Sequence, residues 1–595
     1  MGSLALSFLL LFAGSFWLVP ESKAQSAPDN SADGPELRII FPQDGDTLNV
    51  ARVRFAGSVS RNAHVRVQGK LVTVFPSGAF VGLVDLKRGL NTLSFETEDE
   101  RGSATRRIVV FRSPDQTLPD SPTSVDGGRV WPRADIHLVT GEEVEVGFVG
   151  SPDGTAFCSI SSLVEPVLLN EIFDPRFPGV RGIYLGNVVV TDVIKLFDSL
   201  VRFTFQGKDG TVFQFEAPGH VFATGSDSPL VGVTQDSTNF VFDQPGGNLL
   251  FELPPGVLVP LVNQRRNFYK LGLPGDQSSF MDTESVKRLP AVKVMPTASL
   301  MEVNFSESEN WLAIRFGLTD RVPFRVSQSD DSRLEVILFN TEEQPGLRLP
   351  DQANGQVRRI TTRTRGQRTI VVQVQLRERR LWGYRSHYRD DALYLDIRRN
   401  PLSNSTTQPS LRELKIIVDA GHGGRESGGV GSTGLLEKAA NLDLAKKVSG
   451  KLKVSGASVV LTRDNDSRLS LAERVELARA ADADIFLSIH QNSIGPDVDP
   501  LRPRGATTYY TFFHAKALAE TIYNRLNKIG LSGYGAKTAA FVVTRQSDFI
   551  SVLIEGAFLT HPQDEMFLLD AAFRARMAEA ITQGVVDFVQ SQQLP

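Results

Sequence analysis

Lys415-Ile-Ile-Val-Asp-Ala-Gly-His-Gly-Gly424, with Glu437-Lys438 a short way on, is the stretch from which the rest of the chain is read. Lys415 to Asp419 is a short apolar run ended by small residues, the pattern of a buried strand in a parallel sheet. Gly421, Gly423 and Gly424 let the backbone turn sharply, so His422 is expected at the strand's C-terminal edge. In open α/β sheets that edge is where ligands bind. His422 and Glu437 then offer one nitrogen and one oxygen ligand to a metal.

Two further strands complete the group. Ile485-Phe-Leu-Ser-Ile489 delivers His490 at its C-terminal end, and Ser551-Val-Leu-Ile554 delivers Glu555. Two histidines and a glutamate with an open fourth position form a catalytic zinc arrangement, whereas structural zinc sites are closed, usually by cysteines. The single cysteine, Cys158, lies far away in sequence, which excludes a thiolate site. A histidine at a strand end is more often a hydrogen-bonded structural residue, so His422 or His490 alone would decide nothing. The four residues in this order do.

The constellation closely resembles the zinc-dependent N-acetylmuramoyl-L-alanine amidases, a family with a GHGG motif, a Glu-Lys pair, an S-I-H-x-N motif and a late V-L-x-E. The resemblance covers residues 413–595 and implies one Zn2+ per catalytic domain. It makes His422, Glu437 and His490 the zinc ligands and Glu555 the catalytic glutamate. Thr462-Arg463, Arg474, Asn492 and Gly556-Ala-Phe558 also fall on the pattern, while His561-Pro562 stands where Asn-Pro is expected. Asn492 is a candidate substrate contact. Asp419 is read either as a partner for the second nitrogen of His422 or as a cap of the turn.

The chain has 595 residues, 41% hydrophobic and 22% charged, too long for one core and ordinary in composition for a globular protein. A net charge of -4 gives no reason to expect a nucleic-acid partner. Residues 1–24 read as a cleaved secretory signal, with an apolar run over 4–19 and a small-x-small Ser22-Lys-Ala24. That run lacks a preceding basic residue, and it is shorter than the ~20 residues that span a bilayer.

The expected architecture is multidomain: N-terminal all-β modules followed by a C-terminal α/β zinc-hydrolase domain. Short alternating strands over 36–112 indicate a β-sandwich and resemble an immunoglobulin-like module; 129–224 reads as a second sandwich. The rhythm over 231–290 resembles an SH3-like barrel, and 291–399 an AMIN-like β domain. Residues 400–410 form a polar linker before the catalytic domain at 413–595. Ten arginines lie in 358–389, beside Trp382, Tyr384 and Tyr388. A guanidinium-and-aromatic surface suits a carboxylate-bearing polymer with sugar faces, and Arg377, Arg379 and Arg380 are candidate wall-binding residues. A solvated strand face is the competing reading.

The function implied by the resemblance is hydrolysis of the amide between N-acetylmuramic acid and L-alanine in peptidoglycan, by an exported protein of the periplasm or envelope. Peptidoglycan is the expected partner, and other envelope proteins are a second class, bound through the β modules. A catalytically inactive wall-binding scaffold and a zinc peptidase acting on the stem peptide stand as alternatives. No plug helix is expected beside the site, because only Phe512 and Phe513 are read between the strand over 505–511 and the next helix.

Overall fold

The computed structural model describes residues 35–113, 117–139, 143–160, 166–174, 180–189, 199–224, 230–265, 267–275, 278–289, 295–350, 356–377, 381–402 and 410–593. The signal read over 1–24 lies outside them, as do Arg379 and Arg380. The described residues before the catalytic domain form strands with only isolated 3-10 turns. No described helix is long and apolar enough to cross a membrane.

The first sheet pair has a three-stranded sheet of Leu37–Phe41, Arg52–Val59 and Ala79–Asp85, together with a five-stranded sheet. Alternation along the strands turns Phe55, Phe80 and Phe95 inward, and their rings meet at 6.0–6.3 Å. Next comes an eight-stranded sheet running from Val125 to Thr224. The alternation here suggests two facing sheets, yet the hydrogen bonding is unbroken, because the strand Val167–Ile172 pairs on both sides. A seven-stranded sheet and then a five- and four-stranded pair follow, and one core cluster from Leu230 to Ile397 runs through all three.

The C-terminal domain is a six-stranded sheet in the order Ser458–Leu461, Lys415–Ala420, Ile485–Asn492, Ile550–Phe558, Thr507–Tyr510, Gly535–Thr538. The first four strands are parallel, and Thr507–Tyr510 runs antiparallel to its neighbour. Both faces are covered, which is why the central strands are continuously apolar. Ile416 and Val418 join the core with helices α1 (Glu437–Val454), α3 (Phe513–Lys528) and α5 (Ala571–Gln590), while Ile417 and Phe486 face α2 (Leu471–Ala480). Helix α2 opens on a capping box of Ser470 and Glu473, and α1 ends just before Gly456 at φ +101°. Thr511 and Phe512 alone separate strand and helix at α3, one residue earlier than the sequence suggests.

The aromatic residues of the arginine-rich stretch turn inward, contrary to the expectation of an aromatic wall-binding surface. Trp382 is fully buried in the core of the catalytic domain, 5.7 Å from the Phe588 ring. Tyr384 meets Phe512 and His514. Of the stretch's own rings Tyr388 carries the Arg321 guanidinium, and beside it Trp311 lies beneath Arg385 and Arg398 and Tyr394 beneath Arg389. Arg398 also reaches across to Asp482 at 2.7 Å and Asp484 at 3.2 Å, and Asp484 accepts the Lys415 N–H that starts the catalytic sheet. The β assembly thus completes the catalytic core. Trp382→Ala is expected to destabilise that domain by about 3–5 kcal/mol, the usual cost of emptying a buried indole site. Thermal unfolding followed at the catalytic domain tests it, and an unshifted transition would mean that the domain folds without this contact.

Candidate metal centre

Three parallel strands lie side by side, and their register places the chemistry. Lys415–Ala420 stops just before His422, while His490 and Glu555 sit inside strands that run on to Asn492 and Phe558, past the ends that the sequence suggests. Ala420 lies beside Ile489, and His490 beside Glu555. Beyond Ala420, Gly421 N–H bonds Ile489 O, and His422 takes φ +61°, a left-handed conformation rare for a side chain with Cβ. The turn is tight enough to need its glycines. A Cβ on Gly421 would lie 2.2 Å from His490 Nε2, and one on Gly428 would lie 2.4 Å from Glu437 Oε2 and 2.7 Å from His422 Cδ2.

His422, Glu437 and His490 converge so that one donor atom from each lies within 4.8 Å of the others. Glu437 Oε1 stands 3.0 Å from His490 Nδ1 and 3.3 Å from His422 Nε2. The same oxygen accepts from Asn441 Nδ2 and Gln491 N, both at 3.2 Å, while Oε2 accepts from Gly429 N at 2.8 Å. Burial pushes the Glu437 carboxyl up, but hydrogen bonds and charge from the two histidines outweigh it and hold the group well below the usual carboxylate range. Glu555 is the opposite case. Burial first, and the charge of Glu437 second, push it well above its ordinary value. Its Oε2 is buried without a hydrogen-bond partner.

The donor set fits a divalent metal of zinc type: two imidazole nitrogens and one carboxylate, with a further carboxyl beside them that the protein leaves unsatisfied. Ordinary structural histidines would be satisfied by donors or acceptors without crowding one carboxylate.

Beneath the ligands is a layer of buried charge. Asp419 does not bond the His422 ring; its oxygens accept from Arg474 Nη1 at 2.5 Å and from Thr462 and Ser488 hydroxyls at 2.7 Å. Arg474 donates to Ala420 O and His422 O, and Arg463 to Ala420 O, Gly421 O and Lys438 O. Asp419 therefore acts on the turn's backbone through Arg474. Asn492 Oδ1 accepts the next N–H, from Ser493, at 2.9 Å. His561 caps helix α4 (Pro562–Leu569) by accepting from Gln563 N, the job an Asn does well, which accounts for the departure from the motif.

Sequence reading missed three residues. Asn441 and Gln491 hold Glu437, and their signal is their position one turn after, or one residue after, a ligand. Glu565 is buried and accepts from Thr433 N at 2.9 Å and Oγ1 at 2.7 Å, fixing the glycine-rich loop; in sequence it looks like any acid in a helix's first turn. Gly428→Ala is expected to cost metal affinity at least tenfold, since the methyl must displace a ligand. Zinc titration of the variant measures this, and wild-type affinity would show that the loop yields freely.

A family model described as N-acetylmuramoyl-L-alanine amidase matches residues 416–587. The amidase LytC of Bacillus subtilis strain 168 is 44% identical over 192 residues, which are 31% of this chain; the chain spans only 38% of LytC's length. The amidase AmiA of Escherichia coli K12 is 30% identical over 234 residues, covering 31% of this chain and 81% of AmiA. Among solved structures, amidase AmiC2 of Nostoc punctiforme is 37% identical, covering 30% of this chain and 97% of that one, with a TM-score of 0.29. Through its C-terminal domain, the chain belongs to the N-acetylmuramoyl-L-alanine amidase family.

Proposed function

We propose that this protein is an exported cell-wall hydrolase that cleaves the amide between N-acetylmuramic acid and L-alanine of peptidoglycan, with Zn2+ held by His422, Glu437 and His490. The observation that carries the reading is the convergence of these three donors beside Glu555, whose Oε2 has no partner of its own. Family membership supports the substrate, since LytC and AmiA are both named as amidases of this specificity.

A Zn2+ held there supplies Lewis acidity, polarising an amide carbonyl and bringing the pKa of water to ~7. The residues do the rest. Glu437, kept ionised, fixes both imidazoles from one oxygen. Glu555, raised by its surroundings, is suited to take a proton from attacking water and return it to the departing nitrogen, which makes an amine a feasible leaving group.

The upstream sheets fit envelope-binding roles: an immunoglobulin-like module over 36–112, a second β module over 129–224, an SH3-like module over 231–290 and an AMIN-like module over 291–399, joined by the 400–410 linker. Arg377 is exposed on the last of these. Replacing Arg377, Arg379 and Arg380 together by Ser is expected to weaken pull-down on intact wall, more at low salt, where charge is less screened. Unchanged pull-down at low salt would leave the stretch as a solvated face.

Mass analysis of purified wall digested by the whole mature chain tests the function. Free glycan with intact stem peptides is the expected product; shortened stems would mean a peptidase, and no product a scaffold. Glu555→Gln is expected to keep its zinc and lose turnover by ~10²–10⁴-fold, because it moves a proton and does not bind the metal. Loss of zinc from that variant would make Glu555 a ligand instead.

A further inference from the structure

The N-terminal sheet pair docks on the rim of the metal site. Past Phe41 the first strand leaves the central strand Arg52–Val59, whose last partner on that side is the pairing Phe41 with Ala56. The Arg54 N–H on that vacated edge donates instead to Pro496 O at 2.6 Å. A buried N–H needs such a partner, and here it comes from the loop that follows His490 and Asn492. The side chain of Arg54 lies over the Phe41 ring at 4.4 Å.

Two more contacts reach the same rim. Arg38's guanidinium lies against Gly434, close enough that a Cβ there would be 3.3 Å from both terminal nitrogens. Strand Ala79–Asp85 packs on helix α4, which carries Glu565. The contacts reach the two loops that flank Glu437. Pro496 is in the loop with Ser493, which crowds Gly429, and Gly429 N–H binds Glu437 Oε2. Gly434 N–H bonds Gly431 O in the loop that Glu565 anchors from within.

That loop contains Gly428, Gly429, Gly431 and Gly434, so ordering it costs more backbone entropy than usual. External contacts offset that cost. The docked sheet does not cover the site, because the side chains of His422 and His490 remain 31% and 18% exposed. We propose that the sheet pair over residues 37–112 is a brace, with Arg38 and the Arg54 backbone positioning the 428–436 and 493–504 loops, and through them Glu437, for metal binding.

The inference rests on the metal reading of the site, and its test does not need wall hydrolysis. Arg38→Glu and Arg38→Lys are made in the whole mature chain, and zinc loss to a chelator is followed beside hydrogen exchange. Arg38→Glu is expected to lose zinc about tenfold faster, with faster exchange over 428–436 and 493–504 and unchanged exchange over Gly89–Arg112. Arg38→Lys, which keeps the cation, is expected to behave as wild type. Wild-type zinc retention and exchange in Arg38→Glu would overturn the brace, and slower zinc loss would make the sheet a strain on the site. Faster zinc loss in a chain that digests no wall would leave the brace standing while removing the amidase reading.

Discussion

One buried carboxylate sets the terms for the rest of the catalytic domain. Glu437 is 4% exposed, and a buried charge is tolerated only when paired and hydrogen-bonded. The chain meets that requirement from four directions: the Gly429 loop, the Gln491 backbone, Asn441 on the next turn of α1, and the two histidines. Glu437 also opens α1, where Leu436 provides no side-chain cap and the helix's positive end favours an anion. Loop, helix and the His490 strand are consequently tied to one atom group, and none of them can shift without disturbing the others.

Below that group lies a second tier that solves a different problem. His422 occupies a left-handed conformation, and the carbonyls of Ala420, Gly421 and His422 around it all accept from side chains, Asn441 also donating to Gly421 O. Arg463 and Arg474 satisfy them with charge-assisted bonds, each worth about 1.5–3 kcal/mol. Asp419 balances Arg474 in turn. Two nearly buried guanidinium groups in a small domain are costly, and their use here is explained by donor count: an arginine supplies five N–H groups in fixed directions, which no neutral side chain matches.

The parts legible from sequence are those governed by local rules. The turn at His422, the Ser470–Glu473 box and the stop at Gly456 follow from residue type and spacing, whereas the strands bearing His490 and Glu555 run on to Asn492 and Phe558, where they still pair with each other. What could not be read locally is which face another domain covers. Alternation places Trp382 and Tyr384 among arginines, but says nothing of Phe588 or His514 arriving from far along the chain to bury them. Asp419 shows the same limit at short range. A carboxylate beside a histidine suggests a bond to its ring, and the competing donors, Thr462, Arg474 and Ser488, come from three other elements.

Those long-range contacts bear on what counts as the catalytic unit. Trp382 and Leu402 precede the six-stranded sheet yet belong to its core. Asp484, 6% exposed, faces Arg398 from the β assembly as well as the Lys415 N–H. Cutting the chain just before Lys415 would therefore open an apolar site over Phe588 and leave a buried carboxylate with one donor fewer, at a cost of the order of 1–3 kcal/mol for the lost bond alone. The motif boundary and the folding boundary differ, because the first is set by chemistry and the second by where apolar surface and charge are finally covered. With Arg398 joined to Asp482 and Asp484 at the foot of the sheet and Arg54 joined to Pro496 at its rim, the hydrolase is held by β modules at both ends.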